Sequence, residues 1–336
     1  MKFFLSILCI NVFICFSVYA KKEKSVGRAV SYQDSDFFNA QNQDTLTYIN
    51  PEDDILGRSL VDRNDISDDY QMHVIYVLAK NSEDKQFDVN GKIEEVILKS
   101  QEDLQEKINK KFKYDMTKEG KIDISFLRVD KTADEIDYLE PHPVHYFFIQ
   151  IAKNGFYHPK KIYTVFYQED FYQKDQKQKP GGASFTSTLE TPTGDIFVPL
   201  AVIFMKEAMK HKEQPIQSIY LHEMFHSLGF IQQCSKGAAR RDFPHIKYKN
   251  DYMGDGNYEY IDKKNNTYYN HSNSRCPLDL KKNVYLEPIE KNIQILPFKL
   301  QEKTTKWVKE NTCVFDWSLK KYNHEVALVC AERLNF

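Results

Sequence analysis

The chain reads as an α/β protein in which a mixed sheet lies over one buried helix, and three observations predict it. Short runs rich in β-branched and aromatic residues alternate with a long amphipathic segment. One further helical segment is apolar nearly all round, yet carries two histidines and a glutamate. A hydrophobic content of 41%, with 23 Phe and 21 Tyr, supplies one sizeable core for a single main domain.

Taken in order, the elements begin with an export signal. Met1-Lys2, the apolar run from Phe3 to Val18, and Val18-Tyr19-Ala20 before Lys21-Lys22 match a secretory signal peptide cleaved after Ala20; the alternative is an uncleaved anchor. The expected protein is therefore secreted or extracellular, or periplasmic in a bacterium, with no stable membrane span once the signal is removed. Residues 21–69 are polar and acid-rich without periodicity and read as a flexible leader or propeptide. No cysteine lies between Ala20 and Cys234, which excludes latency through a prosegment thiol.

The main domain is expected over residues 70–290. Gln71 to Ala79 is a first strand. Ile93 to Phe112 is an amphipathic helix with Ile93, Val96, Ile97, Leu104, Ile108 and Phe112 on one face. Lys121 to Val129 and Ile162 to Tyr167 are further strands, while the apolar Val144 to Ala152 fits either element. A Gln/Lys-rich stretch between Asp170 and Pro180 reads as a mobile loop leading into Gly181-Gly182. Ile196 to Phe204 is a strand candidate for the sheet edge, with Pro199 limiting its pairing. A strand there above the site could bind an extended peptide by adding it to the sheet.

The chemistry is concentrated in His222 to Phe230, HEMFHSLGF. Histidines at i and i+4 share a helix face one turn apart, so both imidazoles reach a single zinc ion, the expected cofactor. Glu223, beside the first ligand, is placed to take a proton from the attacking water and pass it to a leaving amine. Pro215 starts this helix, Ile216, Ile219, Tyr220, Leu221, Met224, Phe225 and Leu228 bury it, and Gly229 ends it. An ordinary core helix would leave that polar trio buried without partners, which is strongly disfavoured.

Catalytic zinc needs a third protein ligand. In a His-Glu-x-x-His-x-x-Gly-x-x-His pattern it falls at position 232, which is Gln232 here, and an amide oxygen is a poor zinc ligand. His245 is the best replacement, with Asp251, Asp255 and Glu259 as carboxylate alternatives. Asp251-Tyr252-Met253-Gly254 follows shortly after it. From Ile196 to Tyr285 the chain thus resembles the metzincin-like zinc metalloproteases, in a divergent form whose third histidine is delayed by an insertion. The resemblance implies a zincin-type catalytic domain. It further implies one catalytic zinc on His222, His226 and His245, Glu223 as general base, and Met253 in an apolar turn beneath the metal. Tyr252, Tyr258 and Tyr285 are candidates for steadying a tetrahedral oxyanion.

Four cysteines follow the signal segment, and an even number in an exported chain points to two disulfides. Three pairings are possible; in the nearest-neighbour one, which is expected, Cys234 with Cys276 would close the loop that carries His245, and Cys313 with Cys330 would staple a C-terminal cap over residues 291–336. With 46 basic and 48 acidic residues intermixed, nothing argues for nucleic acid. The expected partner is a peptide or protein substrate of a secreted metalloendopeptidase. Two rivals are an inactive secreted zinc-binding or interaction protein, with Gln232 marking a lost ligand, and a zinc hydrolase of cell-wall peptides or another amide.

Overall fold

The structure is a computed structural model that describes residues 53 and 55–291, apart from 140–142, 157, 159, 172–179, 190–195, 213, 229–234, 239–244, 255–257, 275 and 277–278. The signal segment, most of the leader, the C-terminal cap, Cys234, Cys313, Cys330, Gly229, Gln232, Asp255 and nearly all of the Gln/Lys-rich stretch lie outside the described residues.

The elements run β1 (Gln71–Leu78), α1 (Lys92–Ile108), β2 (Lys111–Phe112), β3 (Ile124–Arg128), α2 (Ala133–Asp137), α3 (Pro143–Lys153), β4 (Lys161–Tyr167), β5 (Gly182–Leu189), β6 (Ile196–Phe204), α4 (Met205–Ala208), α5 (Ile216–Leu228) and β7 (Leu286–Glu287). The main sheet has the order β3-β1-β4-β6-β5, in which β5 alone runs antiparallel; β2 and β7 pair separately. This is the mixed α/β sheet that the pattern of runs predicts.

Side chains alternate across the sheet and divide the interior into two apolar layers. Met72, Val74, Tyr76 and Leu78 of β1, with Phe166 and Ile203, pack against α1 and α5. Ile75 and Val77, with Val165, Tyr167, Val202 and Phe204, pack against α2 and α3. A parallel sheet covered on both faces wants near-continuous apolar strands, which is why β1 and β4 are buried along their whole length.

One open reading is decided and two expectations change. Val144 to Ala152 is helical: Val144, Phe147, Phe148 and Ile151 are buried at helical spacing against the sheet. The first helix stops at Ile108, because Asn109 turns left-handed at φ 54 and donates its N–H back to Gln105; Phe112 belongs instead to β2. The segment proposed as the sheet edge, Ile196 to Phe204, is an inner strand, and the edge on that side is β5, which begins at Gly182. Pro199 fits an inner strand because the ladder to β4 starts one residue later, at Tyr163 and Leu200, so its missing N–H falls outside that ladder.

The domain also begins upstream of residue 69. Arg58, almost fully buried, forms ion pairs with Asp84 (2.7 Å) and Asp88 (2.7 Å) and covers the ring of Phe126. Ser59 bridges Ser125 on the outer edge of β3, and Phe126 N donates to Ser59 O. The ammonium of Lys161, only 2% exposed, sits among Asp62 (2.6 Å), Asp65 (2.5 Å) and Asp115 (2.7 Å). Acids that look like tail in the sequence are therefore counterions of a buried cation. Burial opposes that charge, but the three carboxylates outweigh it and push the Lys161 pKa up.

Replacing both Asp62 and Asp65 by Ala leaves the buried Lys161 with Asp115 as its near carboxylate. The expected loss is about 3–5 kcal/mol of unfolding free energy in denaturant melts; an unchanged midpoint and slope would show that the segment is dispensable.

Candidate metal centre

Helix α5 is nucleated at Pro215, whose carbonyl accepts from Ser218 N and Ile219 N. From Ser218 to Phe225 every residue is buried, between the sheet and α1. The helix period puts His222 and His226 on one face, and the loop after the helix brings a third imidazole to them. His222 Nε2 lies 3.0 Å from His226 Nε2 and 3.1 Å from His245 Nε2, and the last two are 3.2 Å apart. Tetrahedral zinc with bonds of about 2.0–2.1 Å spaces its nitrogen ligands by roughly 3.3 Å. The three ring nitrogens therefore form a triangle of the size that a single metal ion takes.

His245 arrives through backbone geometry. Ile246 N donates to Met253 O (2.8 Å) and Lys247 N to Gly237 O (2.9 Å), which pins the residues after His245 between two chain segments. Gly254 is fixed by a close approach, since a Cβ there would lie 2.0 Å from the carbonyl oxygen of Tyr248. Asp251, fully buried, holds the turn: its carboxylate accepts from Met253 N (2.9 Å), Asp262 N (2.8 Å) and the Tyr268 hydroxyl (2.6 Å). This corrects Asp251 as a ligand candidate, because its oxygens are spent on the turn that carries Met253 into the core. Glu259 is exposed and is not in the cluster.

His222 Nδ1 donates to the carbonyl of Tyr252, which fixes the tautomer and leaves Nε2 as the lone-pair atom. The Tyr252 hydroxyl donates in turn to Asp103 on α1 (3.2 Å), so the tyrosine ties α1 to the site and does not offer its hydroxyl to a substrate. Tyr258 stacks on the His222 ring at 5.6 Å, whereas Tyr285 packs edge-on against Tyr70. No sequence signal marks a backbone carbonyl such as that of Tyr252, or the acid Asp103 more than a hundred residues upstream.

Burial sets the electrostatics. It pushes His222 down to about 3, with His245 adding to the effect, and His226 well below its usual range. His222 and His226 are thus held neutral, as metal ligands must be. Burial alone pushes the Glu223 carboxyl up to about 8. These residues fit the metal that the motif implies: three lone-pair nitrogens converge, one tautomer is locked, and a buried carboxyl lies next in sequence to a ligand. Cys276 is disulfide-bonded, and its expected partner Cys234 is outside the described residues. Among the described residues no helix is long and apolar enough to cross a membrane.

No protein-family profile and no curated protein matches this chain. Solved structures similar to it include wild-type OgpA from Akkermansia muciniphila in two crystal forms. One has a TM-score of 0.31 and 13% identity, covering 52% of this chain and 51% of that one. The other has a TM-score of 0.34 and 16% identity, covering 61% and 58%. A third is catalytically inactive OgpA in complex with an O-glycopeptide (glycodrosocin) substrate, at a TM-score of 0.30 and 11% identity, covering 53% and 52%. The match thus spans between half and three-fifths of OgpA, and at these values the functional reading rests on the geometry of the site.

A pH dependence follows for the metal-free protein. Glu223 has a raised folded pKa, so its contribution is present below about 4.5 and is lost as pH rises towards about 8. His222 works oppositely, since its depressed folded pKa removes stability as pH falls from about 6.5 to about 3. Glu223→Gln abolishes only the first effect. In chelator-treated samples the melting temperature of the variant should gain on wild type steadily from pH 5 to pH 8, and parallel curves would contradict the assignment.

Proposed function

We propose that the chain is a zinc-dependent metalloendopeptidase, exported by its first 20 residues and related to the metzincin-like proteases. The observation that carries the reading is the triangle of His222, His226 and His245 ring nitrogens, the first two on the helix that also buries Glu223, the residue next in sequence to His222. His222, His226 and His245 would hold the ion. When bound, zinc supplies Lewis acidity towards the scissile carbonyl and an acidified water.

The remaining steps belong to the chain. Glu223, held almost out of solvent, takes a proton from the attacking water as the tetrahedral centre forms and delivers it to the departing amine as the carbon–nitrogen bond breaks. The Tyr252 carbonyl keeps His222 oriented throughout. The edge strand β5 lies against α5, which puts an open strand beside the site, where an extended peptide can pair with it. The rival, an inactive zinc-binding protein with Gln232 marking a lost ligand, predicts zinc held without any peptide turnover.

Protein purified without chelator should carry about one zinc per chain, and His245→Ala should weaken zinc binding by more than about 100-fold. Glu223→Ala should keep the zinc and lose peptide hydrolysis by at least about 1000-fold. Zinc absent from the parent chain, or turnover retained in the Glu223 variant, would each overturn the mechanism.

A further inference from the structure

The edge strand opens on two glycines that its backbone does not require. Neither Gly181 nor Gly182 has a positive φ, so an L side chain is conformationally admissible at both. Glycine in a strand gives up side-chain packing and adds chain entropy to the unfolded state. What both positions lack is space. A Cβ on Gly181 would lie 2.8 Å from Ile219 Cδ1, and one on Gly182 would lie 2.6 Å from Glu223 Cγ and 3.1 Å from Glu223 Oε1. Two residues further along, Ser184 Oγ is 2.8 Å from Ser227 Oγ. Ile219, Glu223 and Ser227 are four residues apart and form one stripe of α5. The start of β5 therefore runs along that stripe with main chain, not side chain, over Glu223.

We propose that Gly182 is a positioning residue for Glu223: its missing side chain leaves the space that the Glu223 side chain occupies, and its main chain forms the wall that keeps the carboxylate there. The proposal rests on Glu223 acting as the general base. The two glycines differ in what a methyl group would displace. At 181 it meets the far end of a flexible isoleucine, which can swing aside. At 182 it meets the middle of the Glu223 side chain and its carboxylate together, so that the acid must leave its position, and misplacement of a reacting group by about 1 Å lowers turnover by around 100-fold.

The test is a stability cycle read beside kinetics, on the full mature chain purified without chelator. Gly182→Ala should lower the melting temperature by several degrees in the parent chain, and by much less in a Glu223→Ala background, where no Cγ remains to collide. If Gly182→Ala alone does not fold, recovery of folded protein in the double variant supplies the same answer. With zinc stoichiometry unchanged, Gly182→Ala should reduce kcat by about 10–100-fold with KM within about twofold, while Gly181→Ala stays near the parent. An equal stability loss in both backgrounds, or a parental kcat in Gly182→Ala, overturns the proposal. Should the parent chain hold zinc yet hydrolyse nothing, the proposed function falls and the stability cycle still decides the role of Gly182.

Discussion

Everything at the site depends on burying three ionisable side chains, His222, Glu223 and His226, in a helix that is otherwise core. Helix α5 is enclosed by the sheet on one side and α1 on the other, where an unpartnered polar group is heavily disfavoured. The fold answers with backbone. The Tyr252 carbonyl takes the Nδ1 proton of His222, the turn held by Asp251 fixes that carbonyl, and the same turn pairs with Ile246 to bring in His245. The result is a triangle of three ring nitrogens converging on one point, an arrangement of the size that a single metal ion takes. The turn around Met253 is thereby as much a part of the candidate metal centre as the imidazoles.

A second buried polar cluster lies away from the first and shows the opposite solution. Lys161 is surrounded by Asp62, Asp65 and Asp115, and Asp115 also accepts from His73 Nδ1 at 2.9 Å. Here the cation is covalent. The ammonium fills the place among the carboxylates that an ion would take, which makes this a structural clasp between the segment before β1 and the strands β1 and β4. Three converging imidazoles leave room for a metal ion, whereas the carboxylate cluster is filled by the chain's own charge.

Much of the site is legible in the sequence because its key relation is local. A spacing of four on a helix places His222 and His226 together whatever surrounds them, and the apolar run from Ile219 to Leu228 implies burial. His245 is legible as a candidate only through the failure of position 232. Choosing it over Asp251 takes the turn, where the carboxylate is consumed by the N–H groups of Met253 and Asp262. Asp103 and Gly182 carry no sequence signal, since each acts on a residue far away in the chain.

The fold divides along the same line. Residue pattern alone was enough for the strands β1, β3, β4 and β6, the amphipathic α1 and the buried histidine-bearing helix α5, because hydrophobic period and composition act within a few residues. Tertiary structure decided that β5 and not β6 is the edge, that an acidic stretch before residue 70 clamps Lys161, and that His245 completes the cluster. These outcomes depend on which surfaces meet across dozens of residues, where burial of a charge or room for a single methyl group selects the arrangement.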